Sequence, residues 1–231
     1  MIFYIFLVLS IHEMAHIACA TFFHYPIQQV RIYPFGIAAQ IGYIGFGNII
    51  QEVCMIASGP LMHMLFPFLF RLLYTMGYIS SSFLDYLYMM NASILIFNLL
   101  PLYPLDGGRL LQAFFHTFLP FKRAQQATYV ISIACVCWLL YFRVLQGVGG
   151  CLVLLLFVFE IGIAWKDIGF QQLQFYYYRY MHKVNYPIIM NQHHDLYRGR
   201  YNIMKVNKGW IEEEKWLAKY FNNKNRGSEK E

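Results

Sequence analysis

His12, Glu13 and His16 stand in the order H-E-x-x-H inside an apolar run that begins at Met1 and reaches about Phe23. On a helix this spacing places both imidazoles on one face, one turn apart, where they can bind Zn²⁺. The glutamate beside the first histidine is then placed to take a proton from water at the metal. The chain has 8 His and 8 Glu in 231 residues, so random placement gives about 0.01 such motifs and chance is a poor account of it. Two histidines and a carboxylate are costly in a lipid-embedded segment and mark a functional site. The plainer alternative is a polar cluster that joins helices by hydrogen bonds.

A catalytic zinc site keeps three protein ligands and one open position. The candidate for the third ligand is Asp106, within Asn98-Leu-Leu-Pro101-Leu-Tyr-Pro104-Leu-Asp106-Gly107-Gly108. Pro101 and Pro104 stop the preceding helix and keep the backbone extended. Gly107 and Gly108 permit tight geometry just after the carboxylate. Asp106 can also cap the helix that follows, and the two roles can coexist. Asn91 and Asn98 share one helix face. Asn98 is near enough to the Asp-Gly-Gly segment to contact a substrate carbonyl or the loop backbone; helix–helix hydrogen bonding is the other reading. Ala57-Ser-Gly59-Pro60-Leu-Met-His63 is a small-residue patch that lets another helix, or a substrate strand, come close. His63 stays open between a fourth ligand, a proton shuttle and a hydrogen-bonded core residue.

The elements that must hold these residues are membrane helices. The chain is 58% hydrophobic and only 13% charged, against about 25% charged in soluble domains. Apolar stretches at about residues 1–23, 53–73, 84–100, 127–145 and 151–165 predict five transmembrane helices. Residues 24–52 carry Gly36, Gly42, Gly45 and Gly47 among β-branched and aromatic residues, a pattern for a Gly-rich, membrane-associated hairpin. A short amphipathic helix is expected at about 109–119. The fold class is thus α-helical and multi-span, with residues 1–165 as a membrane core and 166–231 as a short tail. Glu52 reads as an interface residue.

The formal net charge is +6, and 12 of the 18 Lys/Arg lie from Lys166 onward. The positive-inside rule puts the tail, the 101–126 loop and the hairpin in the cytoplasm, with the bilayer as the partner of the basic residues. Glu212, Glu213 and Glu214 interrupt the positive run, which argues against nucleic-acid binding. The five cysteines form no C-x-x-C pair and read as small membrane hydrophobes.

Taken together, His12-Glu-Met-Ala-His16, Ser58-Gly-Pro60 and Asn98-x-x-Pro-x-x-Pro-x-Asp106-Gly resemble the site-2 protease family of intramembrane zinc metalloproteases. Pro34-Phe35-Gly36 and Leu119-Pro-Phe-Lys122 resemble a sporulation branch of it, whose members process the precursor of a sigma factor. The resemblance implies His12, His16 and Asp106 as zinc ligands and Glu13 as general base, with Asn98 supporting the substrate. It implies that a hairpin at about residues 30–46, including Phe35 and Gly36, presents the substrate as an added strand, with Gly59 and Pro60 also in contact. The implied partners are a membrane-associated protein substrate, such as a pro-sigma factor or an anti-sigma factor, and membrane inhibitor or regulatory proteins. Members of that branch carry a span before the H-E-x-x-H helix and end in a CBS-like domain. This chain enters the helix at Met1, and residues 166–231 are short for a full pair of CBS motifs. Two other classes use similar residues: a non-enzymatic membrane metal carrier, which has no need of Glu13, and an inactive scaffold, which has no need of an intact site.

Overall fold

The computed structural model describes residues 2–33, 36–42, 45–145, 147–183, 185–192, 195–206 and 209–228. Pro34, Phe35 and the His193-His194 pair lie outside the described residues. Helix α1 runs Ile2–Phe22. Its 21 residues at about 1.5 Å each span about 32 Å, the thickness of a hydrocarbon core. An antiparallel hairpin follows, β1 (Ile27–Tyr33) and β2 (Gly36–Ile41). Helices α2 (Ile49–Thr75) and α3 (Ser81–Asn98) come next. Helix α4 (Asp106–Phe118) is short and amphipathic, and α5 (Phe121–Tyr141) and α6 (Gly147–Lys166) are long and apolar.

The fold is α-helical and multi-span. Among the described residues, α1, α2, α5 and α6 are long and apolar enough to cross a membrane. The fifth expected span coincides with α3, whose 18 residues include Asp85, Asn91 and Asn98; these polar groups lower its hydropathy below the other four. Large apolar side chains such as Phe68 on α2 and Leu155 and Phe159 on α6 are exposed, as a lipid-facing surface requires. Two expected boundaries shift. The 146–150 segment, expected as a loop, enters α6 at Gly147, where a φ of 81° suits glycine. Helix α5 starts six residues earlier than expected, because Pro120 precedes it and presets the first turn.

The described residues from 166 onward are folded. Helix α7 (Ile168–Met181) leads to a three-stranded sheet, β3 (Ile188–Asn191), β4 (Tyr201–Val206) and β5 (Gly209–Glu212), and then to α8 (Glu213–Ser228). β3 pairs parallel to β4, and β4 antiparallel to β5. Phe175, Tyr176, Leu196, Met204 and Leu217 form a core cluster with Phe121 of α5, and Phe46 packs against it. The Phe121 and Phe175 rings stack at 4.4 Å between centroids. The tail, the start of α5 and the end of the β2–α2 connection therefore share one end of the molecule.

Two buried ion pairs organise that end. Arg179 of α7 binds Glu213 at 2.6 Å and donates to the Arg198 and Arg200 carbonyls. Arg198, fully buried, pairs with Glu52 near the start of α2 and donates to the Gly47 carbonyl at 3.2 Å. Glu52 also accepts the Gly45 amide at 3.2 Å. Glu52 is thus not an interface carboxylate: it is buried because a cation from the tail neutralises it.

Candidate active site

Helices α1 and α2 pack at a point where α2 offers only a glycine. A Cβ at Gly59 would collide with His16 Nε2 and lie 2.6 Å from His12 Cε1. The small-residue patch therefore lets the histidine-bearing face of α1 sit against α2. Gly59 and Pro60 are both buried and do not line the cleft described below. Along α1, His16 stands six residues, about 9 Å, from the hairpin end at Phe22, and His12 about 15 Å from it, at the middle of the helix.

The third component comes from the break between α3 and α4. Leu102 is fully buried, and the Tyr103 amide donates to Ser132 Oγ of α5 at 2.9 Å, which ties the extended segment to the core. A Cβ at Gly107 would collide with the Leu99 and Leu100 carbonyls. That close approach packs the start of α4 against the backbone that leaves α3, and α4 itself lies against α2 and α5. Helix α4 begins at Asp106 itself, with Leu105 as its N-cap and no side-chain cap bond. The carboxylate is not used as a cap; it points at the histidines.

The geometry of the trio is specific. Asp106 Oδ2 lies 3.1 Å from His12 Nε2 and 3.4 Å from His16 Nε2, and the two Nε2 atoms are 3.1 Å apart. Zinc bonds of about 2.0–2.1 Å in a tetrahedron require donors about 3.3 Å apart. His16 Nδ1 sits 2.8 Å from the Met55 carbonyl oxygen, which can only accept, so Nδ1 carries the proton and Nε2 keeps its lone pair. Asp106 Oδ2 is buried without a hydrogen-bond partner among the described residues. Three ligand atoms converging at this distance suit a cation, and the residues present fit a zinc ion.

The cleft in front of the trio has a volume of about 200 Å³ and is lined by Glu13, Asn98, Ile41, Pro104 and Arg109 as well as by the trio. Glu13 and Asn98, singled out from the sequence, are thus brought beside His12, His16 and Asp106. Ile41 brings the end of β2 to the same cleft; Gly36 lies at the far end of that strand, paired with Tyr33. A larger cavity of about 920 Å³ adjoins the cleft through Ile41 and Arg109 and is lined by Gln28, Gln112, Gln125 and Gln171. His63 and Asn91 were not separable from ordinary core residues by spacing. In the fold, His63 Nε2 stands 3.1 Å behind His12 Nδ1.

Residues 75–140 match the model of peptidase family M50, a stretch that includes Asn98 and Asp106. The chain is 32% identical over 189 residues to stage IV sporulation protein FB of Bacillus subtilis (strain 168), covering 81% of this chain and 62% of that protein. It therefore spans less than two thirds of that relative's length. The fold is similar to the site-2 protease from Methanocaldococcus jannaschii, with a TM-score of 0.54 at 22% identity over 70% of this chain and 75% of that one. The motif resemblance, the match of residues 75–140 to peptidase family M50 and the fold shared with a site-2 protease point the same way, and over the part they cover the chain is similar to the site-2 proteases.

Proposed function

We propose that this chain is an intramembrane zinc metalloprotease that hydrolyses a peptide bond in a membrane-associated protein. The observation that carries the reading is the convergence of His12, His16 and Asp106 at 3.1–3.4 Å in a cleft that also holds Glu13 and Asn98. His12 and His16 through Nε2, and Asp106 through Oδ2, would hold the zinc. When bound, the ion supplies Lewis acidity, polarising a carbonyl and making water more acidic.

The chain's own residues carry the rest. Glu13 accepts the proton of the attacking water as its oxygen bonds to the carbonyl carbon. Glu13 then delivers that proton to the departing amide nitrogen as the C–N bond breaks. Asn98, at the end of α3, holds the substrate by its side-chain amide. The hairpin, with Ile41 at the cleft, offers an edge on which an extended substrate can add as a strand.

The finer reading is a role in sporulation with a pro-sigma factor as substrate. The family resemblance and the similarity to a sporulation protein support it. Membrane inhibitor or regulatory proteins would act on the same site. Residues 1–165 would be the membrane core and 166–231 a cytoplasmic appendage, a shortened CBS-like unit; the basic charge of the tail supports that side. Co-expression with a membrane-associated pro-sigma factor, for wild type and Glu13→Gln, tests the function. A shortened product with wild type alone is expected. Equal product with both would mean that a host protease is cutting or that Glu13 is not the base.

A further inference from the structure

Behind His12, on the side away from the cleft, His63 of α2 and Asn91 of α3 are buried together, 1% and 4% exposed. Three distances define their hydrogen bonds. Asn91 Nδ2 donates to the His63 backbone carbonyl at 2.9 Å. Asn91 Oδ1 lies 2.7 Å from His63 Nδ1, and His63 Nε2 lies 3.1 Å from His12 Nδ1.

The chemistry of these groups permits one direction of donation. The carbonyl of His63 can only accept, so it takes the nitrogen of the Asn91 amide and leaves the oxygen facing the ring. That oxygen can only accept, so His63 Nδ1 carries a proton. A neutral His63 then presents a lone pair at Nε2, and His12 Nδ1 must be the donor to it. His12 Nε2 is left unprotonated, facing Asp106 Oδ2 and His16 Nε2. His16 reaches the same tautomer by a shorter route, through the Met55 carbonyl. Both nitrogens of His63 are therefore engaged, and it is neither a fourth ligand nor a shuttle.

We propose that His63 and Asn91 are positioning residues that fix the tautomer and orientation of His12, so that its Nε2 lone pair is aimed at the metal before the metal arrives. The inference rests on the zinc reading above and deepens it. Partners behind a ligating histidine raise its basicity and hold its ring, and losing one typically costs about 10- to 100-fold in metal affinity.

The test is zinc affinity of the full chain in detergent, by competition with a chromophoric chelator, beside the thermal midpoint of the metal-free protein. His63→Leu removes the acceptor; His63→Gln keeps a carbonyl oxygen near the Nε2 position. His63→Leu should bind zinc about 10- to 100-fold more weakly, with His63→Gln within about 3-fold of wild type. Wild-type affinity in His63→Leu overturns the proposal. Equal weakness in both variants also overturns it, since ring shape and not the acceptor would then matter. If His63→Leu does not accumulate, Asn91→Leu decides: it keeps the ring but frees it to turn, and unchanged affinity overturns the proposal. A wild-type chain that binds no zinc refutes the metal reading itself, a result distinct from all of these.

Discussion

Glu13 is the residue that separates hydrolysis from metal storage. It lines the cleft and is not one of the three converging ligands. Glu13→Gln should therefore lower turnover by about 10²- to 10⁴-fold and leave zinc affinity unchanged, measured as cleavage rate and as chelator competition on the same sample. Parallel loss of zinc would make Glu13 a ligand and sink its role as base. Gly59 gives a second prediction at this scale. A methyl there meets both histidine rings, so Gly59→Ala should lower zinc content and the thermal midpoint together, while Gly162→Ala, with open space around it, should change neither. The convergence of His12, His16 and Asp106 was legible because H-E-x-x-H and the Pro-Pro-Asp-Gly break each carry their own chemistry. Glu52 was misread because its partner Arg198 is 146 residues away and no local pattern announces it.

At the scale of elements, the Arg198–Glu52 pair joins the β3–β4 connection to α2, while Glu52 also grips the Gly45 amide. Met55, one turn further along α2, orients His16. Arg198→Ala leaves a buried carboxylate uncompensated, which costs about 3–5 kcal/mol. Limited proteolysis of that variant should release the tail, whereas Glu52→Leu with Arg198→Met should resist cleavage better. Equal resistance of wild type and Arg198→Ala would show that the pair does not hold the tail. His116 of α4 belongs to the same interface, stacked on Phe121 at 5.0 Å and 2% exposed. Burial, and then the nearby Arg198 charge, hold its pKa well below the usual histidine range. A depressed histidine favours the folded state fully above its unfolded value of about 6.5, and that contribution is lost as pH falls below it. Tail docking should therefore loosen on acidification, read as faster tail proteolysis at pH 5.5 than at pH 7.5, and His116→Gln should flatten the difference. The helices were readable from apolar run length. Their ends were not, because Pro120, Gly147 and Leu105 set them through backbone geometry that hydropathy does not report.

For the whole molecule, the question is which face of the membrane the substrate must approach. The clustering of Phe46, Phe121, Phe175 and Leu196 places the end of the β2–α2 connection, the start of α5 and the tail at one end. The opposite end holds the α2–α3 turn at Gly77 and the approach to α6 at Gly147. Twelve of the 18 cations lie from Lys166 onward, Arg109 lies in the first turn of α4, and Lys122 and Arg123 lie in the first turn of α5. Anionic lipid and the positive-inside bias then favour the cytoplasm for that end, at about 1 kcal/mol for each basic residue near the surface. Because His16 lies only about 9 Å from that end of α1, substrate should reach the trio from the cytoplasmic side. Single cysteines introduced at Gly77 and at Tyr197, in a variant lacking the five native cysteines, can be probed in intact cells with a membrane-impermeant maleimide. Labelling at Gly77 and protection at Tyr197 until the cells are lysed is the expected pattern. The reverse pattern would place the cleft on the outer face and exclude a cytoplasmic sigma-factor precursor as substrate, while leaving the zinc site and its chemistry untouched.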